Sequence, residues 1–110
     1  MKVVILDSAA QDLKELRSYI IKEFSRETWL KTFGKIKTSI RNLAKFPLLG
    51  AVPPELEVLH LTQYRQILSG KNRIIYEPRP DALYIHIVVD ARRDMKSLLM
   101  RRLMRYSNSH

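Results

Sequence analysis

Cationic side chains are the groups in this chain most able to do chemistry. Twenty Lys and Arg stand against eleven Asp and Glu, a net charge of +9. Residues 1–57 hold ten cations and seven acids, and residues 58–110 hold ten and four, so the surplus lies towards the C-terminus. An excess of this kind draws polyanions: nucleic acid, the ribosome or an acidic protein segment. A solubilising surface charge is the plain structural alternative. Arg65 and Arg73 fall on neighbouring β-like runs and are expected to face one concave surface. Arginine there would hold a phosphate, but it stays protonated and moves protons poorly at neutral pH. The three histidines add little. His60 and His86 fall in β-like runs with no carboxylate or cysteine adjacent in sequence, and His110 is terminal. Structural or surface roles are expected for all three. There is no cysteine, Walker loop, dinucleotide fingerprint or zinc spacing, so neither a metal nor a cofactor is expected.

These groups must be positioned by a small body. A chain of 110 residues fits a single domain, 1–110. With 45% hydrophobic residues it can build a core, and with 28% charged residues it should stay soluble. The opening run Met1–Leu6 is too short for a secretory core and meets Asp7 at once. No window approaches the roughly 18 apolar residues of a membrane span. A cytoplasmic protein without membrane contact is the expectation.

Lys2–Leu6 reads as a strand, and Asp7 or Ser8 as the cap of a following helix. Ala9, Leu13, Leu16, Ile20 and Phe24 recur every three or four residues and form one apolar stripe. Ser25 can cap a second helix, with Trp29, Phe33, Ile36, Ile40 and Leu43 as its stripe and Lys31, Lys35, Lys37, Arg41 and Lys45 outside it. So short a link predicts an antiparallel helical hairpin. Trp29 and Tyr19 read as packing within it rather than as platforms for bases. Pro47 ends the second helix, and Leu48–Pro54 reads as a loop. Val58–Leu68, Arg73–Glu77 and Leu83–Val89 then read as strands in an antiparallel meander. Leu83, Ile85, Ile87 and Val89 should share one face, with Tyr84, His86 and Val88 on the other. From Arg92 onward, Met95, Leu98, Leu99 and Leu103 form a helical stripe among Lys96, Arg101, Arg102 and Arg105, and the residues from Ser107 should fray. The predicted fold is α+β: an N-terminal strand, an antiparallel helical hairpin packed on a small, mainly antiparallel sheet (β-α-α-β-β-β), and a short C-terminal helix.

Three segments carry a resemblance that spans nearly the whole chain. They are the break Phe46-Pro47-Leu48-Leu49-Gly50, the strand Gly70-Lys71-Asn72-Arg73-Ile74-Ile75-Tyr76-Glu77, and the sheet end Val88-Val89-Asp90-Ala91-Arg92-Arg93-Asp94-Met95. In this order and context they resemble the Pro–Gly loop, the "G-x-Y-R" strand and the "V-x-H-x-R-x-D" step of the RelE/ParE toxin superfamily of type II toxin–antitoxin systems. Asn72 stands where Tyr is usual and Asp90 where His is common. The resemblance implies a growth-inhibiting toxin, held inactive by a cognate antitoxin and meeting operator DNA only through the antitoxin complex.

Two mechanisms occur in that superfamily. RelE-like members cleave messenger RNA on the ribosome; by resemblance Arg65, Arg73 and Arg92 would then be the catalytic candidates. The tyrosine of that group falls at about Leu98 here, and its histidine is absent, which weighs against proton transfer. ParE-like members inhibit DNA gyrase and serve plasmid stabilisation. The run from Arg92 to Leu103 is similar to their C-terminal segment. It implies a docking surface made by Arg92, Arg93, Met95, Leu98, Leu99, Arg101 and Arg102, with core packing of the apolar residues as the alternative. The expected function is therefore a ParE-like gyrase inhibitor. An mRNA endoribonuclease is the second reading, and a non-toxic basic nucleic-acid-binding module the third.

Overall fold

A computed structural model describes residues 1–107, with side chains through Leu103. The elements run β1 (Val3–Ile5), α1 (Asp7–Glu23), α2 (Arg26–Lys45), α3 (Pro54–Glu57), β2 (Arg65–Ser69), β3 (Asn72–Pro78), β4 (Leu83–Asp90) and α4 (Met95–Ser107). The side chains of Arg105 and Tyr106, and the expected fraying beyond Ser107, lie outside the described residues. The sheet order is β1-β4-β3-β2, with β2-β3-β4 an antiparallel meander and β1 parallel to β4 at one edge. The predicted α+β architecture is the one observed. Among the described residues no helix is long and apolar enough to cross a membrane.

The sheet is the middle of three layers. On one side the helical hairpin covers it: Ala9, Ile36 and Leu43 pack on Ile74, Tyr76, Leu83, Ile85 and Val88. On the other side Met95, Leu98, Leu99 and Leu103 of α4, with Leu56 of α3 and Tyr64, pack on Ile75, Ile87 and Val89. Burial on both faces explains why β3 and β4 read as nearly unbroken apolar runs. Each aliphatic side chain so buried contributes about 1.5–3 kcal/mol, so α4 is a structural layer of the domain.

The helices begin in different ways. Ser25 caps α2, its hydroxyl accepting the Thr28 N–H at 3.0 Å, as its position before the stripe predicts. Neither Asp7 nor Ser8 caps α1. Leu6 occupies the cap while its own N–H still bonds Ile85 O at 3.1 Å. The chain thus passes from strand to helix without a free residue, and Asp7 acts through its charge in the first turn.

Three expectations need correction. The strand expected over Val58–Leu68 begins only at Arg65. The residues before it form α3, a turn holding His60 in the left-handed region (φ 57°), and a loop. Four helical residues after Pro53-Pro54 are too few to leave a periodic signal. The faces of β4 also differ from strict alternation. Tyr76 pairs with Ile85 but Ile75 with Ile87, which leaves His86 as an extra residue in a β-bulge. Leu83 and Ile85 therefore meet the helical hairpin, whereas Ile87 and Val89 meet α4. Finally, Arg65 and Arg73 do not share a face. Their cross-strand partners, Tyr76 and Leu68, place Arg65 on the hairpin side and Arg73 on the α4 side.

Candidate functional site

The loop after α2 is drawn onto the sheet by Tyr76. Its hydroxyl donates to Pro47 O at 2.8 Å and accepts from the Gly50 N–H at 2.9 Å. Burial raises the Tyr76 pKa above its usual value of 10.0, so the hydroxyl keeps the proton it donates. Gly50 is required there, because a Cβ would stand 2.3 Å from Gln66 O. The loop in turn offers carbonyls to Arg65, whose Nη1 donates to Gly50 O at 2.6 Å. The Pro–Gly break and the strand arginine are thus parts of one local structure.

Arg73 is engaged as fully. Its guanidinium bonds both Glu55 carboxylate oxygens, at 2.9 and 3.1 Å, and its Nε donates to Gln66 Oε1 at 2.8 Å. The Arg73 hydrogen bond holds the Glu55 carboxyl below the ordinary carboxylate range. Sequence reading gave Arg73 no link to Glu55, because α3, which delivers the acid, was not foreseen. Arg92 chelates Asp90 through Nε and Nη2 at 3.0 and 2.9 Å, and this bonding lowers the Asp90 pKa. Arg92 lies at the end of β4, outside the sheet face that carries Arg73. The three nuclease candidates therefore occupy three separate places, two of them committed to the fold.

A second group escaped the sequence. His86 Nε2 lies 2.9 Å from Glu77 Oε1, and Arg79 Nη2 donates to the same oxygen at 2.9 Å. Tyr64 meets the His86 ring edge-on at 5.1 Å between centroids. Desolvation lowers the His86 pKa below 6.5, and the Glu77 carboxylate opposes that shift only in part. The signal was present in the β3–β4 hairpin. Counting back from the Pro78–Asp81 turn sets His86 diagonal to Glu77 on one face. The cluster is buried and fixes the bulge.

The C-terminal run divides into two sets. Met95, Leu98 and Leu99 are 3%, 5% and 1% exposed, and as folded they offer no docking surface. Arg102 is also internal: it bonds both Asp12 oxygens at 3.0 Å and His86 O at 2.9 Å. Arg92, Arg93, Lys96, Met100 and Arg101 remain on the outside. At Arg92 and Arg93, α1 and the end of β4 leave a hollow of about 430 Å³, lined also by Leu16, Tyr19 and Val89 and by the acids Asp12, Glu15 and Asp90. Among the described residues no group of three or more His, Asp or Glu is placed to hold a metal.

The ordered break, the arginine-bearing strand and the three-layer body together define a small α+β fold. The family model described as "ParE toxin of type II toxin-antitoxin system, parDE" matches residues 3–95, and the chain belongs to that family. A solved structure titled "Chromosomal ParDE TA system from P. aeruginosa" is similar with a TM-score of 0.67 at 16% identity, over 82% of this chain and 95% of that one. At that identity the likeness is one of fold. No curated protein matches in sequence. The family match ends at the first residue of α4, so Arg92 and Arg93 lie within it and Lys96 and Arg101 beyond it.

Proposed function

We propose that this chain is a growth-inhibiting toxin that binds and inhibits DNA gyrase, and that a cognate antitoxin neutralises it. The observation that carries the target is the division within the C-terminal run. Its apolar stripe and Arg102 are used by the fold, while Arg92, Arg93, Lys96 and Arg101 are exposed, the first two at a partly apolar hollow. Exposed cations before and on α4 suit a docking surface, which requires no proton transfer. Arg65 and Arg73, by contrast, are engaged by Gly50, Glu55 and Gln66, an arrangement that holds a loop in place more readily than a scissile phosphate.

The test is supercoiling by purified gyrase in the presence of the purified toxin. Inhibition is expected, and Arg93→Glu combined with Arg101→Glu should weaken it by at least about tenfold, consistent with loss of interfacial charge pairs. Circular dichroism of the variant should match the parent. Unaffected supercoiling together with cut transcripts after induction in cells would replace this reading with ribosome-dependent mRNA cleavage. Harmless expression without any partner would favour a non-toxic binding module.

A further inference from the structure

The edge of α2 that faces the β2–β3 turn carries cations and hydroxyls in alternation. Lys31, Thr32, Lys35 and Ser39 border two adjoining hollows of about 670 and 410 Å³, which share Lys35, Ser69 and Gly70. Lys71 and Arg92 close the far side. Lys31 has only an exposed partner, Glu27 at 3.5 Å, and Asp90 is already chelated by Arg92. Lys35 and Lys71 make no ion pair among the described residues. Side chains at Gly34 and Gly70 would meet open space, so the hollows are not filled by the fold.

One buried atom marks the floor. Ser69 is 5% exposed, and its Oγ is the buried side-chain polar atom without a hydrogen-bond partner among the described residues. Burying a hydroxyl unbonded is costly, and such groups in native proteins call for a physical reason. Ser69 follows Ile67 on the hairpin side of the sheet, beneath the Lys35 edge of α2. At the other end of the groove two aromatic side chains are open. Tyr19 is 51% and Phe24 65% exposed, and their rings meet edge-on at 6.3 Å. They do not serve the core, as Trp29 does.

We infer that this groove binds single-stranded nucleic acid, with the lysines and Ser69 holding phosphate oxygens and Tyr19 and Phe24 receiving bases. Cations with open aromatic rings in one channel are what an unpaired strand requires. An acidic helix would need a continuous apolar floor; here Leu16 and Ile20 line only the Tyr19–Phe24 end, whereas around Lys31 and Lys35 the lining is Gly34, Thr38, Ser39 and Ser69 with Leu68. The site lies apart from the exposed face of α4; it shares Tyr19 and Arg92 with the hollow of the gyrase reading, whereas Lys35, Lys71 and Ser69 border the groove alone and carry the test.

The experiment uses a fluorescein-labelled, mixed-sequence twelve-nucleotide DNA strand and the full chain, with anisotropy read in low salt. Lys35→Glu with Lys71→Glu should weaken binding by at least about tenfold, and Lys37→Glu with Arg41→Glu, on the other edge of α2, by less than about threefold. Ser69→Ala should weaken it several-fold while thermal unfolding shows an intact domain. Equal losses from the two charge-reversal pairs would reduce the binding to general attraction by net charge and overturn the site. Equal binding of a duplex would overturn the single-strand assignment. Displacement by polyglutamate as effective as by unlabelled strand would replace the ligand with an acidic peptide.

Discussion

At the scale of single residues, three of the six arginines that sequence reading marked for function, Arg65, Arg73 and Arg102, turn out to hold this protein's fold in place. Arg73 is the clearest case, since its bidentate bond to Glu55 fastens α3 to β3. Arg73→Ala should lower stability at neutral pH by about 1–3 kcal/mol, the range for leaving a partly buried charged partner unpaired. Because the pair depresses the Glu55 pKa, its stabilisation is present above the ordinary value of 4.5 and is lost as the pH falls through the depressed one. Urea unfolding of the parent and variant should therefore converge as the pH falls below 4.5 and through the depressed value. A gap that is constant with pH would place the effect elsewhere. Arg92→Ala, at an exposed pair, should change stability little.

His86 gives a second prediction at this scale. Its pKa is depressed in the fold, so the unfolded chain binds the proton more readily. Stability should be fully present above about pH 6.5, the ordinary value, and should fall as the pH drops below it. His86→Gln keeps a side-chain donor towards Glu77 but removes the titration. Its unfolding midpoint should vary less than the parent's between pH 7.5 and 5.5. Parallel curves would show that another group controls this limb.

Among the elements, the decisive feature is how β4 is closed. β1 pairs only with Leu83, Tyr84 and Ile85, which leaves the rest of that edge without a strand. Asp12 of α1 accepts the Val88 N–H at 3.0 Å, and Arg102 of α4 donates to His86 O at 2.9 Å. The two side chains then bond each other, so a carboxylate and a guanidinium take the place of a missing strand. They also tie the two outer layers together across the sheet. Removing Asp12 leaves the Arg102 charge without its carboxylate and the Val88 N–H without its acceptor, so Asp12→Ala should cost about 3–5 kcal/mol. The double change Asp12→Leu with Arg102→Leu should cost less than the sum of the single changes, as a double-mutant cycle in urea would show. Additive losses would mean that the two side chains act separately. The same geometry bears on truncation. Deleting residues from Met95 onward strips a layer from Leu56, Tyr64, Ile75, Ile87 and Val89. Such a protein should unfold, which circular dichroism would show. Substitutions at Arg93 and Arg101 are the sounder probe of docking.

For the whole molecule, charge is the dominant property. A net +9 on a body of 39 × 30 × 24 Å should steer acidic partners towards it. Association with an acidic antitoxin should therefore be fast at low salt and slow markedly as salt rises, with a smaller change in the dissociation rate. Stopped-flow measurement of the co-expressed pair checks this. A salt-independent association rate would mean that apolar contacts, rather than the field, govern encounter.

The sequence by itself determined the helical hairpin, the β3–β4 hairpin and the sheet-end motifs, since each is written in local periodicity, caps and turn residues. Ser25, Gly70-Lys71 and Pro78–Asp81 act over a few residues, and so they can be read directly. The tertiary structure decided what the charges do. Whether Arg73 meets RNA or Glu55, and whether Arg102 faces a partner or Asp12, depends on contacts between residues 18 and 90 positions apart. It also decided the faces of β4, because one bulged residue, His86, reverses the alternation that the sequence shows. A short helix such as α3 buries only Leu56, too little to leave a pattern, yet it supplies the acid that occupies Arg73. Local pattern records which segments fold; the pairing of distant charges is fixed only when the layers close and desolvation leaves each buried ion one acceptable partner.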